Sequence, residues 1–380
     1  MNQSPERIHE ISVADLESEM DVEKLTWIDV REDHEVISGQ IAKSLHLAKS
    51  RMEFEYETLG LDPEQRIIVY CQSGVRSLIA AKFLASLGYK NVSSLKGGYI
   101  AWTDFQESKT SRLNADDRQR YQRHFRLEEI GFIGQEKLKH SKVAIVGAGG
   151  LGSPIALYLA AAGIGTIHIV DDDLIEKSNL QRQILHKDRD NGNSKALSAQ
   201  TALRELNPNI NVIAHEQRLN DDNAMDLFSG CDIILDGSDN YSTRYTINDT
   251  CFKLGIPHVH GSILKFQGQI SVFWPQAGSH APCYRCLFPE PPPPSMSPSC
   301  SSAGVVGALP GIIGSMQALE AIKVLLGIGQ ALIGRLLRFD GLSHQYQELK
   351  LQKDPECSLC SSIDTYKPPE PLGNSFTQAT

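Results

Sequence analysis

The fold of the larger part of this chain is decided by the stretch Lys142-Val143-Ala144-Ile145-Val146-Gly147-Ala148-Gly149-Gly150-Leu151-Gly152. The apolar residues predict a buried strand, and the glycine cluster predicts a tight turn into a helix. Glycines let the backbone approach a phosphate closely, and the helix N-terminus favours its negative charge. By itself the motif favours a dinucleotide-binding oxidoreductase, and a purely structural turn is the alternative.

Polar residues downstream of the glycine cluster separate two kinds of nucleotide chemistry. Asp171 ends the next predicted strand and fits a ribose hydroxyl in either kind of site. Ser178–Gln183, Lys195 and Asp236–Asn240 then add two cations and an acid. Hydride transfer has little use for such groups, whereas in adenylyl transfer cations offset the charge of leaving pyrophosphate and an Asp can hold Mg²⁺. These residues therefore favour adenylyl transfer.

Length and composition indicate a globular chain of two domains. The 380 residues are long for one compact core, and 41% hydrophobic with 22% charged residues is ordinary for a globular enzyme. A formal charge of −9, without a Lys/Arg cluster, argues against a nucleic-acid binder. Met1–Met20 lacks the apolar core of a secretory signal, and Pro310–Gly327 looks like a buried helix, too short and too polar to span a bilayer. We expect a cytoplasmic protein that binds neither nucleic acid nor membrane.

The order of strand and helix patterns predicts a small α/β domain followed by a Rossmann-like domain with a mixed sheet. Residues 1–107 form the first domain, a polar linker follows near Ser111, and residues 114–366 form the second. A long charged helix from Asp116 to Lys139 is expected to precede the glycine motif. Predicted strands are Trp27–Val30, Arg66–Tyr70, Lys142–Val146, Thr166–Val170, Val212–His215, Ile233–Asp236, Pro257–Val259 and Gln269–Trp274. The sequence also predicts a helix at Ser77–Leu87, a proline-rich mobile loop at Pro289–Pro298 and a flexible tail at 367–380.

Four of the eight cysteines form two pairs with metal-ligand spacing. Cys283 and Cys286, with Cys357 and Cys360, supply the four thiolates of a closed tetrahedral zinc site. Because no position is left for a catalytic water, we expect the zinc to be structural. A redox dithiol is the alternative. Of the other four, Cys231 and Cys251 fall in apolar patterns and are expected in the core.

Cys71 begins a loop between an apolar strand and a helix, Cys71-Gln72-Ser73-Gly74-Val75-Arg76-Ser77. Backbone N–H groups of such a loop, together with Arg76, can surround and stabilise an anionic sulfur. A protein phosphatase uses a similar cradle with one more residue between Cys and Arg, so the shorter loop suits a persulfide. A buried and inert cysteine is the alternative.

Over residues 116–366 the second domain resembles the MoeB/ThiF family of adenylyltransferases, which is related to ubiquitin-activating enzymes. The resemblance runs, in the family's order, through Arg120-Tyr121-Gln122-Arg123, the glycine motif, Ser178–Gln183, Lys195, Asp239-Asn240 and both cysteine pairs. It implies ATP binding, a homodimer in which Arg123 reaches the partner's nucleotide site, and catalytic roles for Arg182 and for Asp239, which would hold Mg²⁺. The implied nucleotide contacts are Gly147, Gly149, Gly150, Gly152, Asp171, Ser178, Asn179, Leu180, Gln181, Arg182, Lys195, Asp239 and Asn240.

Two of these residues have plainer interpretations. Arg123 could be a solvated charge on the predicted helix that precedes the glycine motif. Asp239 could form an Asx turn with Asn240, which is a frequent use of such pairs. Only the family resemblance favours the catalytic role of Arg123.

Residues 1–107 resemble a rhodanese domain, through Asp29-Val30-Arg31, the Cys71 loop and Gly97-Gly98-Tyr99-Ile100-Ala101-Trp102. The resemblance implies that Cys71 carries a persulfide with Arg76 in support. Related fusions place a cysteine like Cys300 to bond the activated glycine. The serines around Cys300 supply neither a base nor a thiolate stabiliser, so an exposed thiol is the alternative. The order of the two domains is reversed relative to the commoner fusion, which leaves cross-domain sulfur transfer open.

These features together predict an enzyme that uses ATP to adenylate the C-terminal glycine of a ubiquitin-like sulfur carrier ending in Gly-Gly. Sulfur from the Cys71 persulfide, directly or through Cys300, would displace AMP and give a thiocarboxylate. A cysteine desulfurase is the expected donor, and the molybdopterin-synthase small subunit is the first choice of carrier. The alternatives are a thiamine or tRNA-thiolation carrier, an NAD-dependent oxidoreductase, and a non-catalytic sulfur-relay scaffold.

Overall fold

The computed structural model describes residues 8–19, 25–37, 39–291 and 304–361. The chain divides into two compact units between Arg112 and Leu113, with Gly131–Ile133 grouped with the first unit. Each unit contains its own hydrophobic core. Cys300, most of the proline-rich run and the tail 367–380 lie outside the described residues.

The first unit contains a parallel five-stranded sheet. Its strands are β1 His9–Ile11, β2 Thr26–Asp29, β3 Leu45–His46, β4 Arg66–Tyr70 and β5 Asn91–Leu95, in the order β1-β5-β4-β2-β3. Its helices are α1 Val13–Glu19, α2 Asp33–Val36, α3 Met52–Glu55, α4 Val75–Ser86 and α5 Gly98–Thr110, with a 3₁₀ helix at Tyr56–Leu59. The apolar run of β4 is buried because a parallel sheet is covered on both faces.

The helices that follow Leu113 are α6 Ala115–Arg120, α7 Gly131–His140, α8 Gly152–Ala162, α9 Lys195–Leu206, α10 Ala224–Phe228, α11 Tyr241–Leu254, α12 Tyr284–Leu287 and α13 Ala308–Leu326. The strands are β6 Lys142–Val146, β7 Thr166–Val170, β8 Asn211–His215, β9 Ile233–Asp236, β10 His258–Leu264, β11 Gln267–Phe273, β12 Arg335–Asp340 and β13 Gln345–Lys350. Short 3₁₀ helices lie at His124–Arg126, Lys177–Asn179, Asp188–Asp190 and Pro275–Ala277.

The sheet of the second unit is mixed, in the order β13-β12-β11-β10-β9-β6-β7-β8. The strands from β10 to β8 are parallel, and β11, β12 and β13 are added antiparallel. The predicted mixed sheet and the α/β class are therefore confirmed. The parallel half brings the carboxyl ends of β6, β7 and β9 to one edge of the sheet.

The long helix expected from Asp116 to Lys139 is wrong. α6 ends at Arg120, and buried Tyr121 and Phe125 follow in a turn and a 3₁₀ helix before α7 begins. Gly131 adopts a φ of 54°, in the left-handed region, so the helix cannot be continuous through it. The break could not be predicted because the segment is rich in charged residues and looks like one exposed helix.

Helix α13 is long and apolar enough to cross a membrane by length and composition alone, so the expectation that this segment is too short and too polar for a bilayer is wrong. Within the second unit it contacts α8, β10 and β11, and half of its most apolar window is buried. Leu309, Ile313, Ala318 and Ala321 belong to the hydrophobic core. The predicted buried helix is confirmed.

Candidate functional site

A cavity of about 350 Å³ opens where β6, β7 and β9 end in the second unit. Ligands of such α/β sheets bind at this edge, beyond the carboxyl ends of the strands. The predicted nucleotide contacts that line this cavity are Gly147, Gly149, Gly150, Asp171, Arg182, Lys195, Asp239 and Asn240. The structure thus brings together most of the predicted residues, although they come from five separate segments.

Two glycines shape the turn between β6 and α8. Gly147 has a φ of 90°, a backbone conformation that favours glycine. A side chain at Gly152 would place its Cβ 1.8 Å from the carbonyl oxygen of Gly147, so only glycine fits there. Gly152, the first residue of α8, therefore acts on the shape of the loop, whereas Gly149 and Gly150 form part of the cavity wall.

Asp171, which follows β7, holds the glycine loop in place. Its Oδ2 accepts a hydrogen bond from the N–H of Ala148 at 2.7 Å, and its Oδ1 accepts one from the N–H of Asp173 at 2.9 Å. Burial raises the pKa of Asp171, although these hydrogen bonds and Lys195 oppose the shift. The ribose contact predicted from the sequence would add to this anchoring role.

Four cations line the cavity, Arg182, Lys195, Arg218 and Arg244, and the sequence analysis predicted the first two. Lys195 is the first residue of α9, and its Nζ lies 2.7 Å from Oδ2 of Asp173. The lysine side chain is 7% exposed, whereas that of Asp173 is 66% exposed, so the charge pair lies at the boundary between protein and solvent. Arg182 approaches the same cavity, where its Nη2 donates to Oδ1 of Asn179 at 2.8 Å. Positive charge at this place would offset the charge of a bound polyphosphate.

The predicted run Ser178–Gln183 has two roles in the structure. Arg182 and Gln183 line the cavity, while Asn179 and the carbonyl oxygen of Ser178 accept hydrogen bonds from the Arg182 guanidinium. The carbonyl oxygen of Gln181 lies against the backbone of Gly307, the residue that precedes α13. Leu180 caps the 3₁₀ helix of this run. Part of the run therefore positions Arg182.

Two groups of carboxylates face the cavity. Asp239 is exposed on its wall, next to Asn240, whose Oδ1 accepts the N–H of Thr243 at 2.9 Å and so caps α11. Asp171, Asp172 and Asp173 form a second group, close enough together to hold a metal ion. The sequence analysis singled out Asp239 and missed Asp172 and Asp173. Carboxylate oxygens are the ligands that Mg²⁺ prefers, so either group fits that ion.

A buried polar cluster lies behind Asp239, and the sequence analysis missed it. Asp236 ends β9, and its Oδ1 accepts hydrogen bonds from the N–H and the Oγ of Ser238 at 2.9 and 2.6 Å. The Nδ1 of His260 lies 3.0 Å from Oδ2 of Asp236, and the Nε of Arg244 lies 3.8 Å from it. Burial lowers the pKa of His260 to about 4, although Asp236 opposes the shift, so the ring is neutral near pH 7. This cluster anchors the loop that carries Asp239.

Arg123 is exposed and precedes the 3₁₀ helix His124–Arg126. The cavity of the same chain is lined by other residues. Its predicted role requires a partner subunit and stays a prediction. The predicted role of Cys300 falls outside the described residues and also stays a prediction.

The four paired cysteines converge at one place in the second unit. The Sγ of Cys283 lies 3.9 Å from that of Cys286 and 3.6 Å from that of Cys357, and Cys286 lies 3.3 Å from Cys360. Sulfur atoms of a tetrahedral zinc site lie about 3.8 Å apart, given Zn–S bonds of about 2.3 Å. All four thiols are free of disulfides, and hydrogen bonds from its neighbours lower the pKa of Cys286. The group fits a closed zinc site.

Cys71 lies in the first unit between β4 and α4, and it is fully buried. The N–H of Gly74 donates to its Sγ at 3.2 Å, and the Oγ of Ser77 lies 3.6 Å from it. Burial would raise the pKa of Cys71, but hydrogen bonds from Ser77, Ser73 and Gly74 lower it below its usual value. The loop therefore stabilises a negative charge on this sulfur, and an inert core cysteine would lack such donors.

The loop that holds Cys71 is closed by Gly98, the first residue of α5. Gly98 adopts a φ of 61°, and a Cβ on it would lie 2.1 Å from the carbonyl oxygen of Cys71. Gly98, one of the two glycines in the rhodanese resemblance, is thus packed directly on the Cys71 backbone.

Arg76 pairs with Glu35, a residue that the sequence analysis missed. Its two Nη atoms donate to the two carboxylate oxygens of Glu35, each at 2.6 Å. Glu35 belongs to α2, far from the Cys71 loop in sequence, and the pairing lowers the pKa of its carboxyl to about 2.

Among the described residues of the second unit, Cys231 and Cys251 are buried in an apolar cluster, as predicted. Burial raises the pKa of Cys231 to about 11 and raises that of Cys251 well above its usual value. Both thiols are therefore kept protonated, in contrast to Cys71.

The fold, the glycine-lined cavity and the cysteine cluster define a class of protein that comparison with known families identifies. Residues 121–359 match the ThiF family, and residues 12–105 match the rhodanese-like domain. The chain belongs to the ThiF family and carries an N-terminal rhodanese-like domain.

Two curated relatives are similar over about two thirds of this chain. The probable adenylyltransferase/sulfurtransferase MoeZ of Mycobacterium tuberculosis is 47% identical over 258 residues, which cover 68% of this chain and 66% of MoeZ. The sulfur carrier protein adenylyltransferase of Thermus thermophilus is 46% identical over 258 residues, or 67% of this chain and 95% of that protein. This chain therefore matches slightly less than two thirds of MoeZ and nearly all of the Thermus protein.

Among solved structures, MccB of Escherichia coli has a similar fold. It superposes with a TM-score of 0.56 at 21% identity, over 65% of this chain and 74% of MccB. At that identity the likeness concerns the fold alone.

Proposed function

We propose that this chain uses ATP to adenylate the C-terminal glycine of a ubiquitin-like sulfur carrier and supplies sulfur to the activated carbonyl from Cys71. The observation that carries the proposal is the presence of Arg182 and Lys195 on the same cavity as a glycine loop that opens a helix. A loop of this type accepts phosphate, and two cations suit a triphosphate that must lose pyrophosphate. The names of the two curated relatives support the same chemistry.

In the first step the carrier's terminal carboxylate attacks the α-phosphorus of ATP, and the bond to pyrophosphate breaks. The glycine loop would hold phosphate through its N–H groups, and Asp171 keeps that loop in place through Ala148. Lys195 and Arg182 would stabilise the charge that develops on the leaving pyrophosphate. The products are a carrier acyl adenylate and pyrophosphate.

Mg²⁺ would offset the negative charge of the bound triphosphate at this site. Asp239 would hold it, and the group Asp171–Asp173, which follows β7 at the same edge of the sheet, is the alternative ligand set. The buried contacts of Asp236 with Ser238 fix the loop on which Asp239 stands. Arg123 of a second copy of this chain would complete the site in a homodimer.

In the second step sulfur replaces AMP on the carrier. A persulfide on Cys71 is the source, since the loop around that sulfur favours an anion. Its terminal sulfur would attack the acyl carbonyl of the adenylate directly, and AMP leaves. In the route through Cys300, AMP leaves when that thiol forms a thioester with the carrier, and the persulfide sulfur then displaces the Cys300 thiolate. Reduction of the resulting acyl disulfide by a second thiol releases the thiocarboxylate. A cysteine desulfurase fits the role of sulfur donor.

The cysteine cluster at Cys283, Cys286, Cys357 and Cys360 would hold a structural Zn²⁺. It joins α12 to the segment after β13, which are separated by many residues in sequence. A metal bound there would fix the end of the sheet without taking part in the chemistry.

The proposed carrier is a ubiquitin-like protein that ends in Gly-Gly. Our first choice is the small subunit of molybdopterin synthase, and carriers for thiamine synthesis or tRNA thiolation are the alternatives. All of them present the same Gly-Gly carboxylate to the cavity.

Mass spectrometry of intact carrier tests the proposal. We expect incubation of the full chain with MgATP and a Gly-Gly carrier to add the mass of one AMP to the carrier, and a carrier that lacks the last glycine to stay unchanged. Running the three carriers side by side identifies the substrate. If each carrier kept its mass while the chain bound nicotinamide dinucleotide, the oxidoreductase alternative would replace the proposal.

A further inference from the structure

The charges around Cys71 indicate which sulfur donor the first unit accepts. Two arginines lie beside the Cys71 loop, and each is paired with a carboxylate. Arg76 makes two hydrogen bonds of 2.6 Å to Glu35. Arg31 is fully buried, and its Nε and Nη2 donate to the carboxylate of Asp29 at 3.0 and 2.7 Å.

Both pairs are close to the sulfur-carrying loop. The Nη1 of Arg31 donates to Oε1 of Gln72, the residue that follows Cys71, at 3.4 Å, and to the carbonyl oxygen of Glu35 at 3.3 Å. Arg76 belongs to the same loop as Cys71. The cations and their carboxylates therefore form one connected group beside the loop, and its net charge is zero.

Apart from Arg76, which also interacts with the Cys71 sulfur and whose charge Glu35 offsets, the donors for an anion at Cys71 are neutral. They are the N–H of Gly74 and the hydroxyl of Ser77, with the N–H groups at the start of α4 behind them. Such donors stabilise one negative charge well. A dianion needs cationic partners to replace the water that it loses, and Glu35 already occupies both ends of the Arg76 guanidinium.

We propose that Glu35 is a specificity-determining residue that makes Cys71 accept sulfur from a monoanionic organic persulfide in preference to an inorganic dianion such as thiosulfate. Glu35 acts through Arg76 and does not itself touch the reacting sulfur. This inference rests on the proposed role of Cys71 as a sulfur carrier and adds the chemical class of its donor.

The transfer needs no outside oxidant or reductant. The Cys71 thiolate attacks the terminal sulfur of the donor R–S–S⁻, and a bond forms between the Cys71 Sγ and that sulfur. The donor's S–S bond breaks, and its electron pair leaves with the inner sulfur as the thiolate R–S⁻. With thiosulfate, the same attack would release sulfite.

The test compares two donors on the full chain. Cysteine persulfide or thiosulfate is mixed with the protein, and the sulfur added to Cys71 is measured by mass spectrometry against time. We expect the unaltered chain to load faster from cysteine persulfide. In Glu35→Gln the amide can keep a contact with Arg76 but carries no charge, so the thiosulfate-to-persulfide rate ratio should rise about tenfold, more at low salt than at high salt.

A matched variant controls for the change in net charge. Glu53 is an exposed carboxylate of the same unit and lies 3.7 Å from Lys49, so Glu53→Gln removes the same charge away from Arg76. We expect its donor ratio to equal that of the unaltered chain. Glu35→Gln/Arg76→Gln removes one charge of each sign, so the net charge beside Cys71 equals that of the unaltered chain. We expect its donor ratio to return toward the original value. This comparison remains informative even if Glu35→Gln alone folds poorly.

The outcomes separate the two levels of the proposal. An unchanged donor ratio in Glu35→Gln, or an equal rise in Glu53→Gln, would overturn the role of Glu35 and leave Cys71 as a sulfur carrier. Equal loading of the unaltered chain from both donors would overturn the donor preference. Loading from neither donor would overturn both this inference and the sulfur-carrier role.

Discussion

The Cys71 loop and the nucleotide cavity share a backbone plan and differ in charge. In each, a buried parallel strand runs into a loop that opens a helix, β4 into α4 and β6 into α8. At the Cys71 loop the neighbouring Arg76 is held by both oxygens of charged Glu35. At the cavity Arg182 is held by the neutral amide of Asn179, and Lys195 pairs with the exposed carboxylate of Asp173.

The difference suggests how one backbone arrangement serves two kinds of anion. Backbone N–H groups at a helix start attract negative charge without fixing its amount. The side chains nearby then set how much charge is stabilised. An arginine held by a charged carboxylate suits a single thiolate or persulfide, and several cations on one cavity wall suit a triphosphate and its leaving pyrophosphate.

The largest expected effect comes from removing the sulfur atom at the first site. Cys71→Ser should lose all sulfur loading and all thiocarboxylate formation, because a hydroxyl cannot carry the persulfide. Adenylation of the carrier should stay intact, since the cavity lies in the other unit. Mass spectrometry of the carrier after incubation separates the AMP adduct from the thiocarboxylate. Loss of the AMP adduct in this variant would contradict the independence of the two sites.

Removing a cation from the cavity is the converse experiment. Lys195→Ala should slow carrier adenylation by roughly 10²- to 10³-fold, because positive charge at the leaving group is lost. Pyrophosphate release measures this rate. Lys187→Ala, which removes an exposed lysine paired with Glu205 outside the cavity, is the control. Sulfur loading of Cys71 should be unchanged in both variants. A lower loading rate would contradict the assignment of adenylation and sulfur transfer to two separate sites.

Zinc removal should weaken the second unit more than the first. We expect a strong chelator, or Cys357→Ser, to lower the unfolding temperature of that unit by roughly 10 °C, because four thiols would lose the ion that holds two distant segments together. Calorimetry with metal analysis by mass spectrometry checks both points. A preparation that holds no zinc yet has the same stability would contradict a structural metal.

The smallest expected effect concerns the pH dependence of stability near the Asp239 loop. The pKa of His260 is lowered to about 4 in the folded chain, so between pH 6.5 and 4 the unfolded chain binds a proton that the folded chain does not. The free energy of unfolding should therefore fall as the pH falls through this range, and full stability should be present above it.

His260→Asn should flatten that slope by about one proton. Chemical denaturation at a series of pH values measures it. His140→Asn, a change at the exposed end of α7, serves as the control. An identical slope in His260→Asn and the unaltered chain would mean that the Asp236 cluster tolerates a charged ring.

The central strands and the glycine turn could be predicted from the sequence because their signals are local. Apolar runs such as Arg66–Tyr70 and Lys142–Val146 are buried on both faces, so their composition alone marks them. β13 was missed because most of its side chains are exposed, and exposed strands lack such a run. The break at Gly131 was missed because a single left-handed residue has no counterpart in charge patterning.

Site residues could be predicted where they belong to a sequence motif. They could not be predicted where only tertiary pairing brings them together. Lys195 and Asp239 follow recognisable family patterns and line the cavity. His260 meets Asp236 only because β9 and β10 pair in one parallel register. Glu35 meets Arg76 across 41 residues of sequence, and no local pattern connects them.

Carrier-dependent exchange of labelled pyrophosphate into ATP tests most directly whether the cavity activates a carboxylate. We predict rapid exchange with the full chain, Mg²⁺ and a Gly-Gly carrier, near-zero exchange when the carrier's last glycine is removed, and strongly reduced exchange in Lys195→Ala. Exchange that was absent with every carrier, or that was independent of the carrier's terminal glycine, would contradict the account.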